Sequence, residues 1–270
     1  MPKEEWSMST LAGSFAILKN PDIMSFMLKG TFFTLLLAVV SITASLGVAS
    51  VLALVRNYCT RPAERVFRWA ATAYIELFRN TPLLFWIFIG TVFFPAPGVR
   101  RILGLSSVET KLLFKCTIAL TIFESAIIAE IIRGGLNAIS KGQFEAGYAQ
   151  GFNIVQVMWY IILPQAFRKI IPTLMSQVIT VIKDTSFMAN VATIELMARV
   201  NKVLGGAAMY NGTGTINVSD VFVLFGFAAL VYFVINYSLS CAVRHVQANL
   251  EKVGDSEPVA DVPANVEMAK

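Results

Sequence analysis

Residues 145–166 read EAGYAQGFNIVQVMWYIILPQA, a stretch that predicts two short helices joined by a tight turn. Gly151 stands where a first helix over residues 143–150 needs a left-handed closing residue, which glycine adopts cheaply. Asn153 can cap a second helix, and Gln156 lies three residues later, as in a capping box. Pro164 is expected to end this second helix, which at about ten residues is too short to cross a membrane.

The two helices of this segment carry different surfaces. Apolar residues of the second helix follow helical spacing and form one stripe, namely Ile154, Val157, Met158, Ile161 and Ile162. The first helix presents small residues, Ala146, Gly147, Ala149 and Gly151, beside one acid, Glu145. Such a surface allows another backbone to approach closely. Two interpretations remain open, a docking surface for a partner or a hairpin packed only against its own bundle.

The sequence on both sides of this segment is that of a membrane protein. Of its 270 residues, 56% are hydrophobic and only 14% are charged, a composition that excludes an ordinary soluble domain. Residues 31–55 and 221–243 contain no charge and are long enough to cross a hydrocarbon core of about 30 Å. Residues 69–94, 112–132 and 170–194 are weaker candidates, interrupted by charge or proline. We therefore predict an all-α polytopic membrane protein with about five transmembrane helices.

Composition and motifs exclude several other classes of protein. The net charge of +5 is modest and dispersed, which argues against nucleic-acid binding. The three cysteines lie far apart and there is one histidine, so we predict no metal, haem or disulfide site. The sequence contains no G-x-x-x-x-G-K-[ST] phosphate loop, and no catalytic residue is predicted.

The charges in the loops give a slight preference for one orientation. Basic residues follow the first and third predicted spans, namely Arg56, Arg61, Arg65 and Arg68, then Arg168 and Lys169. They favour a cytoplasmic position for these loops and an external N-terminus. The opposite loops also carry cations, which weakens this preference.

Ionisable residues inside apolar spans are candidates for a substrate pathway. Glu76 and Arg79 are spaced to pair with each other on the second span, and Pro82 is expected to bend it. Glu124 lies deep in the third span without a charge within one turn, and Glu130 and Arg133 form a second possible pair nearby.

Two further charged neighbours, Lys183 and Asp184, lie about 100° apart on a helix and cannot share one face. The side chains of residues 184–186 could cap a restarted half-helix, so a broken helix is predicted here. An amino acid carries both an ammonium and a carboxylate, and its pathway needs charged groups that replace lost hydration. The mixture of Glu76, Arg79, Glu124, Lys183 and Asp184 suits that purpose, although the same residues could instead form structural bridges.

The opening segment resembles a known signature. Glu145, Ala146, Gly147, Gly151, Ile161, Leu163 and Pro164 are similar to the EAA---G---------I-LP motif of ABC-importer permeases, with Gly147 in place of the second alanine. The segments YIELFRNTPLL, IAEIIRGGLNAISKGQ and IKDTSF resemble polar amino acid uptake permeases, and the resemblance extends over residues 30–245. Ser140 departs from it, since the family commonly has proline there.

The resemblance implies a type I ABC importer transmembrane fold, in which the loop over residues 134–168 forms cytoplasmic coupling helices. Glu145, Ala146, Gly147, Gly151 and Pro164 would then couple the chain to a separate ATPase. The implied partners are an ABC ATPase dimer that binds ATP and Mg²⁺, a second identical or related permease, an extracytoplasmic amino acid binding protein and the lipid bilayer. No cofactor is expected in this chain.

The same resemblance predicts a multi-pass protein of the bacterial cytoplasmic membrane with an external N-terminus and a cytoplasmic C-terminus. Residues 1–29 are predicted to be an external or interfacial lead-in, residues 30–245 the transmembrane domain, and residues 246–270 a disordered cytoplasmic tail. The expected substrate is a polar amino acid such as glutamine, glutamate or aspartate. A passive channel and a structural membrane subunit are the alternatives.

Overall fold

The computed structural model describes residues 8–59, 61–96, 98, 104–191 and 193–255, and every regular element within these ranges is helical. The α-helices are α1 (Met8–Lys19), α2 (Pro21–Tyr58), α3 (Arg65–Arg79), α4 (Leu83–Phe93), α5 (Ser107–Asn137), α6 (Lys141–Ala149), α7 (Ile154–Gln156), α8 (Leu163–Asp184), α9 (Leu196–Gly205) and α10 (Val218–Asp255). A π-helical turn, Val157–Ile162, joins α7 to α8, and a 3₁₀ segment, Thr185–Val191, follows α8.

Four stretches of the described chain are long and apolar enough to cross a membrane: α2, α5, the helical run that begins at Ile154, and α10. A fifth crossing can be formed by the chain from Pro62 to Phe93, in which α3 and α4 meet at 110°. The predicted all-α fold with about five crossings is thereby confirmed. The bend predicted at Pro82 is also confirmed, and this proline is the residue immediately before α4.

A stripe of small residues allows α2 to lie close against two neighbours. Gly30 and Thr34 face Leu196 of α9, and Ala49 and Ala53 pack with Ile128 and Ala129 of α5. Buried residues recur along one face of α2, and the small ones are Gly30, Thr34, Ala38, Ser41, Ser45, Ala49 and Ala53. Small side chains at helix contacts let two backbones approach closely. Lipid tails are as apolar as the side chains, so helices in a bilayer associate through this close packing and not through the hydrophobic effect. The hydroxyl of Ser45 donates to the carbonyl of Thr121 across the contact with α5 at 3.0 Å.

Contacts along the helices fix their relative directions. Ser45 contacts Thr121 and Arg56 contacts Glu130, so α2 and α5 run parallel. Gln177 of α8 contacts Glu124 of α5, and Ile170 clusters with Leu136, so α8 runs antiparallel to α5. The end of the bundle that carries Tyr58 and residues 138–169 is called the hairpin end below. The other end carries α1, the first turns of α2, and α9.

The termini differ from the predicted boundaries. Helix α2 begins at Pro21, ten positions before the predicted span, and the predicted lead-in contains α1. Ser14 of α1 donates a hydrogen bond to the buried carboxylate of Asp220 at 2.6 Å, which fastens α1 to the start of α10. Helix α10 continues to Asp255, so part of the segment predicted to be disordered is helical, and residues 256–270 lie outside the described residues.

Candidate functional site

Helices α6 and α7 with the turn between them form a hairpin at one end of the bundle. Gly151 has φ of 83°, which confirms the predicted left-handed turn, and its N–H donates to the carbonyl of Tyr148 at 2.9 Å. The predicted capping box is also confirmed, because the N–H of Gln156 donates to the Asn153 side chain and the N–H of Asn153 to the Gln156 side chain, both at 2.9 Å. The local sequence therefore fixes this turn.

Gly147 lies on the inner side of the hairpin, so its predicted place on the docking surface is wrong. It is buried, and a Cβ atom at this position would lie 2.8 Å from Val157 Cγ2 and 2.9 Å from Ile161 Cδ1. The missing side chain lets α6 approach the π-helical turn closely. Gly147 thus costs helix propensity of about 1 kcal/mol but removes a steric conflict between the two arms.

Pro164 does not end the second helix, contrary to the prediction. Helix α7, the π-helical turn and α8 are continuous, and Pro164 lies in the first turn of α8. Proline is tolerated in a first turn, and the wider hydrogen-bond register of the preceding π-helical turn relieves the crowding that its ring would cause. One helical run therefore extends from Ile154 of the hairpin to Asp184.

The hairpin buries one face and exposes another. Val157, Ile162, Ala166 and Ile170 form a buried cluster with Leu136 of α5. The opposite face exposes aromatic side chains, with Trp159 and Tyr160 each 67% exposed, and Glu145, Ala146 and Ala149 of α6 are also exposed. Both interpretations of the hairpin are compatible with this arrangement, because it packs on its own bundle while it leaves a face uncovered.

A cluster of five charged side chains lies near the hairpin end, and we call it the five-charge cluster: Arg56, Glu76, Arg79, Glu130 and Arg133. Glu130 is at its centre and is bonded by Arg56, by Arg133 Nη2 at 2.9 Å and more loosely by Arg79 Nη1 at 3.7 Å. Its side chain is only 15% exposed. The cluster joins α2, α3 and α5 just before α5 leads into the hairpin.

The predicted pairing of Glu76 with Arg79 is wrong, whereas that of Glu130 with Arg133 is confirmed. Glu76 Oε1 instead accepts a hydrogen bond from Arg56 Nη2 at 2.9 Å, and Arg79 is directed to Glu130. Glu76 and Arg79 therefore each pair with a residue of a neighbouring helix and not with each other. The structure therefore separates Glu76 and Arg79 from the other residues of the predicted substrate pathway.

Glu124 and Asp184 do lie together in the interior of the bundle. Glu124 is fully buried, its Oε2 accepts a hydrogen bond from Gln177 Nε2 at 2.8 Å, and its Oε1 accepts none from the described residues. The carboxyl group of Asp184 is near enough to interact with it electrostatically. Lys183 is exposed on another face of α8. The helical run that begins in the hairpin therefore carries Gln177 and Asp184 directly to the buried acid.

The predicted break after Asp184 is present, but the restart is capped differently. The α-helix ends at Asp184, a 3₁₀ segment follows, and α9 starts at Leu196. Its cap is Glu195, whose carboxylate accepts hydrogen bonds from the backbone N–H groups of Met197 at 2.7 Å and Ala198 at 2.6 Å. A carboxylate at this position also complements the helix dipole.

Comparison with protein families decides which class of membrane protein this is. Residues 45–252 match the model of the binding-protein-dependent transport system inner membrane component. The chain belongs to this family. With its several apolar helices it is a multi-pass protein of the inner membrane, and the matched region includes the hairpin, the five-charge cluster and Glu124.

Individual relatives align with most of this chain and with most of their own length. The probable glutamine ABC transporter permease protein GlnM of Bacillus subtilis is 35% identical over 231 residues, which are 86% of this chain and 96% of that protein. The glutamate/aspartate import permease protein GltK of Escherichia coli O157:H7 is 33% identical, over 83% of this chain and 93% of that protein. The L-cystine transport system permease protein TcyB of B. subtilis is 31% identical. Similar identity to three differently named permeases does not select one substrate.

Solved structures share the fold. A crystal structure of an amino acid ABC transporter with histidines matches with a TM-score of 0.69 and 24% identity, and covers 86% of this chain and 98% of the other. The MetNI methionine ABC transporter in an inward-facing conformation matches with a TM-score of 0.62 and 20% identity. At this level of identity the likeness concerns the fold alone.

Two residues of these sites were missed by sequence reasoning. The sequence predicts that Arg56 is a loop cation because the charge-free run ends at Val55, but α2 continues to Tyr58 and places Arg56 between two glutamates. Gln177 carries no charge and gave no signal. Extending the predicted first span by one helical turn would identify Arg56 as part of α2. Gln177 can be recognised as a partner of Glu124 only when the packing of α8 on α5 is known.

Proposed function

We propose that this chain is the permease subunit of an ATP-driven importer that moves a polar amino acid across the bacterial cytoplasmic membrane. The observation that carries the proposal is the continuous helical run from Ile154 to Asp184. It starts in a hairpin with an uncovered aromatic face and ends beside the buried acid Glu124. Membership of a transport-system family and similarity to amino acid ABC permeases support the same function.

The hairpin would be the part that a separate ATPase moves. Glu145, Ala146 and Ala149 of α6 are exposed, as are Trp159 and Tyr160 of the second arm, and exposed aromatic side chains are typical of protein interfaces. Gly151 shapes the turn and Gly147 lets the two arms meet, so both act on this surface indirectly. A push on the hairpin passes along the helical run that contains Pro164 without crossing a flexible link.

Glu124 and Asp184 would take the ammonium group of the amino acid inside the bilayer. An ammonium entering an apolar region loses hydration and needs acceptors that replace it, and these two carboxyl groups are close together. Lys183 would attract the carboxylate from its exposed face of α8, whereas Glu76 and Arg79 would act at the hairpin end through the five-charge cluster. Glutamine, glutamate and aspartate remain the expected substrates.

The other parts of the importer would be separate proteins. An ATPase dimer would bind ATP and Mg²⁺ and hydrolyse the nucleotide, a second identical or related permease would complete the translocation path, and a binding protein would deliver the amino acid from outside. No phosphate loop occurs in the sequence of this chain, which supports a separate motor.

The proposal is tested by uptake in vesicles that contain this chain, its ATPase and its binding protein. Uptake of labelled glutamine, glutamate or aspartate is expected to require ATP. Glu145→Arg, an exposed substitution on α6, is expected to lower uptake at least fivefold, because charge reversal at an interface is strongly unfavourable (about 1 kcal/mol or more).

Arg244→Glu reverses an exposed charge of α10, outside the hairpin, and serves as the matched control. ATP-independent uptake would favour a passive channel, and an absence of solute movement in every preparation would favour a structural subunit. Unchanged uptake in the Glu145→Arg variant would remove the hairpin from the coupling mechanism.

Orientation can be tested with single cysteines in a chain lacking Cys59, Cys116 and Cys241. Ala149→Cys lies at the hairpin end, and Met209→Cys lies at the other end, where Met209 is 84% exposed. In right-side-out vesicles an impermeant maleimide should label the Met209 position and spare the Ala149 position. Inverted vesicles should reverse the pattern, and labelling of Ala149→Cys from outside would contradict an internal hairpin.

A further inference from the structure

The first half of α3 and the turn before it form an arm that no other part of the described chain covers. We call residues 61–70 the amphipathic arm. All but one of its residues are exposed, and the large apolar side chains are unusually so: Val66 is 74%, Phe67 66% and Trp69 78% exposed. The second half of α3 behaves differently, because Ala71, Ile75 and Phe78 are buried against the bundle. The arm is therefore an extension of an anchored helix.

The arm carries basic and apolar side chains on separate faces. In a helix with 3.6 residues per turn, Arg65 and Arg68 project within about 60° of each other. Val66 and Trp69 also project within about 60° of each other, on the adjacent face, and Phe67 extends the apolar side. With Arg61 in the preceding turn, the arm has three arginines against one glutamate, Glu64. This is the pattern of a helix that lies at a membrane surface.

The bend between α3 and α4 lets the arm incline toward a membrane surface, while the second half of α3 and α4 complete the fifth crossing. The axis of α3 meets the axis of α4 at 110°, so α3 cannot continue the direction in which α4 runs through the bundle. The arm also lies near the hairpin end, since it follows Tyr58, whose hydroxyl lies 3.7 Å from Met158 Sδ. A helix inclined in this way keeps the apolar face of its free half against lipid and its arginines at the level of the headgroups.

We propose that the amphipathic arm is a binding surface for anionic phospholipid, with Arg61, Arg65 and Arg68 on the headgroup phosphates and Trp69 and Phe67 at the border of the acyl chains. The charge of the arm and its aromatic residues favour this occupant over an apolar protein partner. Arginine binds phosphate oxygens in a bidentate manner, and tryptophan favours the interface between headgroups and acyl chains. The proposal concerns the bilayer alone and holds whether or not the chain transports an amino acid.

The test uses the full chain in phosphatidylcholine nanodiscs that contain an equal mole fraction of either brominated phosphatidylglycerol or brominated phosphatidylcholine. Quenching of Trp69 is obtained as the difference between the chain and its Trp69→Phe variant. Brominated phosphatidylglycerol is expected to quench Trp69 about fivefold more strongly than brominated phosphatidylcholine. In the Arg61→Gln, Arg65→Gln, Arg68→Gln triple variant the two lipids should quench equally.

A second triple variant, Lys19→Gln, Lys29→Gln, Lys111→Gln, removes the same charge from exposed positions at the other end of the bundle and should keep the preference. Thermal unfolding of each variant checks that the exposed substitutions leave the fold intact. Equal quenching of the unmodified chain by both lipids would overturn the proposal. Quenching by neither lipid would also overturn it, since the arm would then face a protein or water.

Discussion

Replacing Glu130 with glutamine is expected to destabilise the chain by about 3 kcal/mol, because it removes the acid at the centre of the five-charge cluster. Only one acid of the cluster, Glu76, would then remain to pair with its three arginines, Arg56, Arg79 and Arg133. These side chains lie between the packed helices α2, α3 and α5. The loss of a partner destabilises the charge of Arg56 most, because its side chain is only 18% exposed and a small movement cannot bring it into contact with water. Thermal unfolding in detergent, followed by helical circular dichroism, measures the effect.

Glu76→Gln is the matched control for this substitution. Glu76 makes one ion pair and its side chain is 46% exposed, so its replacement should cost less than about 1 kcal/mol. Adding Arg133→Gln to Glu130→Gln should recover part of the loss by lowering the repulsion among the arginines. If Glu130→Gln unfolds at the same temperature as Glu76→Gln, the cluster does not hold α2, α3 and α5 together.

The parts of the hairpin that sequence predicts correctly are those with local causes. The left-handed glycine and the capping box require only residues within four positions of one another, and both have the predicted geometry. The charge-free runs identify α2 and α10 because a bilayer selects for composition over a whole helix. The sequence alone is sufficient for such features.

The errors arise where distant residues compete with local signals. Pro164 is a strong helix terminator on its own, but the π-helical turn before it and the packed cluster around Ile162 and Ala166 keep the helix continuous. Glu76 could pair with Arg79 on its own helix, but Arg56 reaches it from α2. Gly147 is an unfavourable helix residue until the approach of Val157 is known. Each outcome depends on which helices pack together.

The correction at Pro164 changes the mechanism that the hairpin can support. A helix ending at Pro164 would leave a flexible link between the hairpin and the membrane-spanning helix. A displacement of the hairpin would then bend this link and would not move the spanning helix. The continuous run to Asp184 instead links a displaced hairpin to the position of Gln177 and Asp184 relative to Glu124. Movement at one end would therefore alter the acceptors offered to a substrate ammonium.

Glu124→Gln is expected to lower uptake of the amino acid about thirtyfold or more, because in the proposed pathway the substrate ammonium would lose a partner in a desolvated site. Folding should be unharmed or improved. The substitution keeps an oxygen that can accept from Gln177 Nε2 and removes a carboxyl group beside Asp184, while Oε1 of the native carboxyl group receives no hydrogen bond from the described residues. ATP-driven uptake of labelled amino acid and thermal unfolding are measured on the same preparations.

Glu195→Gln provides the contrast, because Glu195 is equally buried but its carboxylate accepts two backbone N–H groups at the start of α9. Its replacement removes a charged cap and should lower stability by about 1 kcal/mol. Uptake per folded molecule should fall much less than in Glu124→Gln. The two variants therefore separate a buried acid that binds substrate from one that supports the fold. Full uptake by Glu124→Gln would mean that the ammonium passes elsewhere, and Glu124 would then be only a structural neighbour of Gln177.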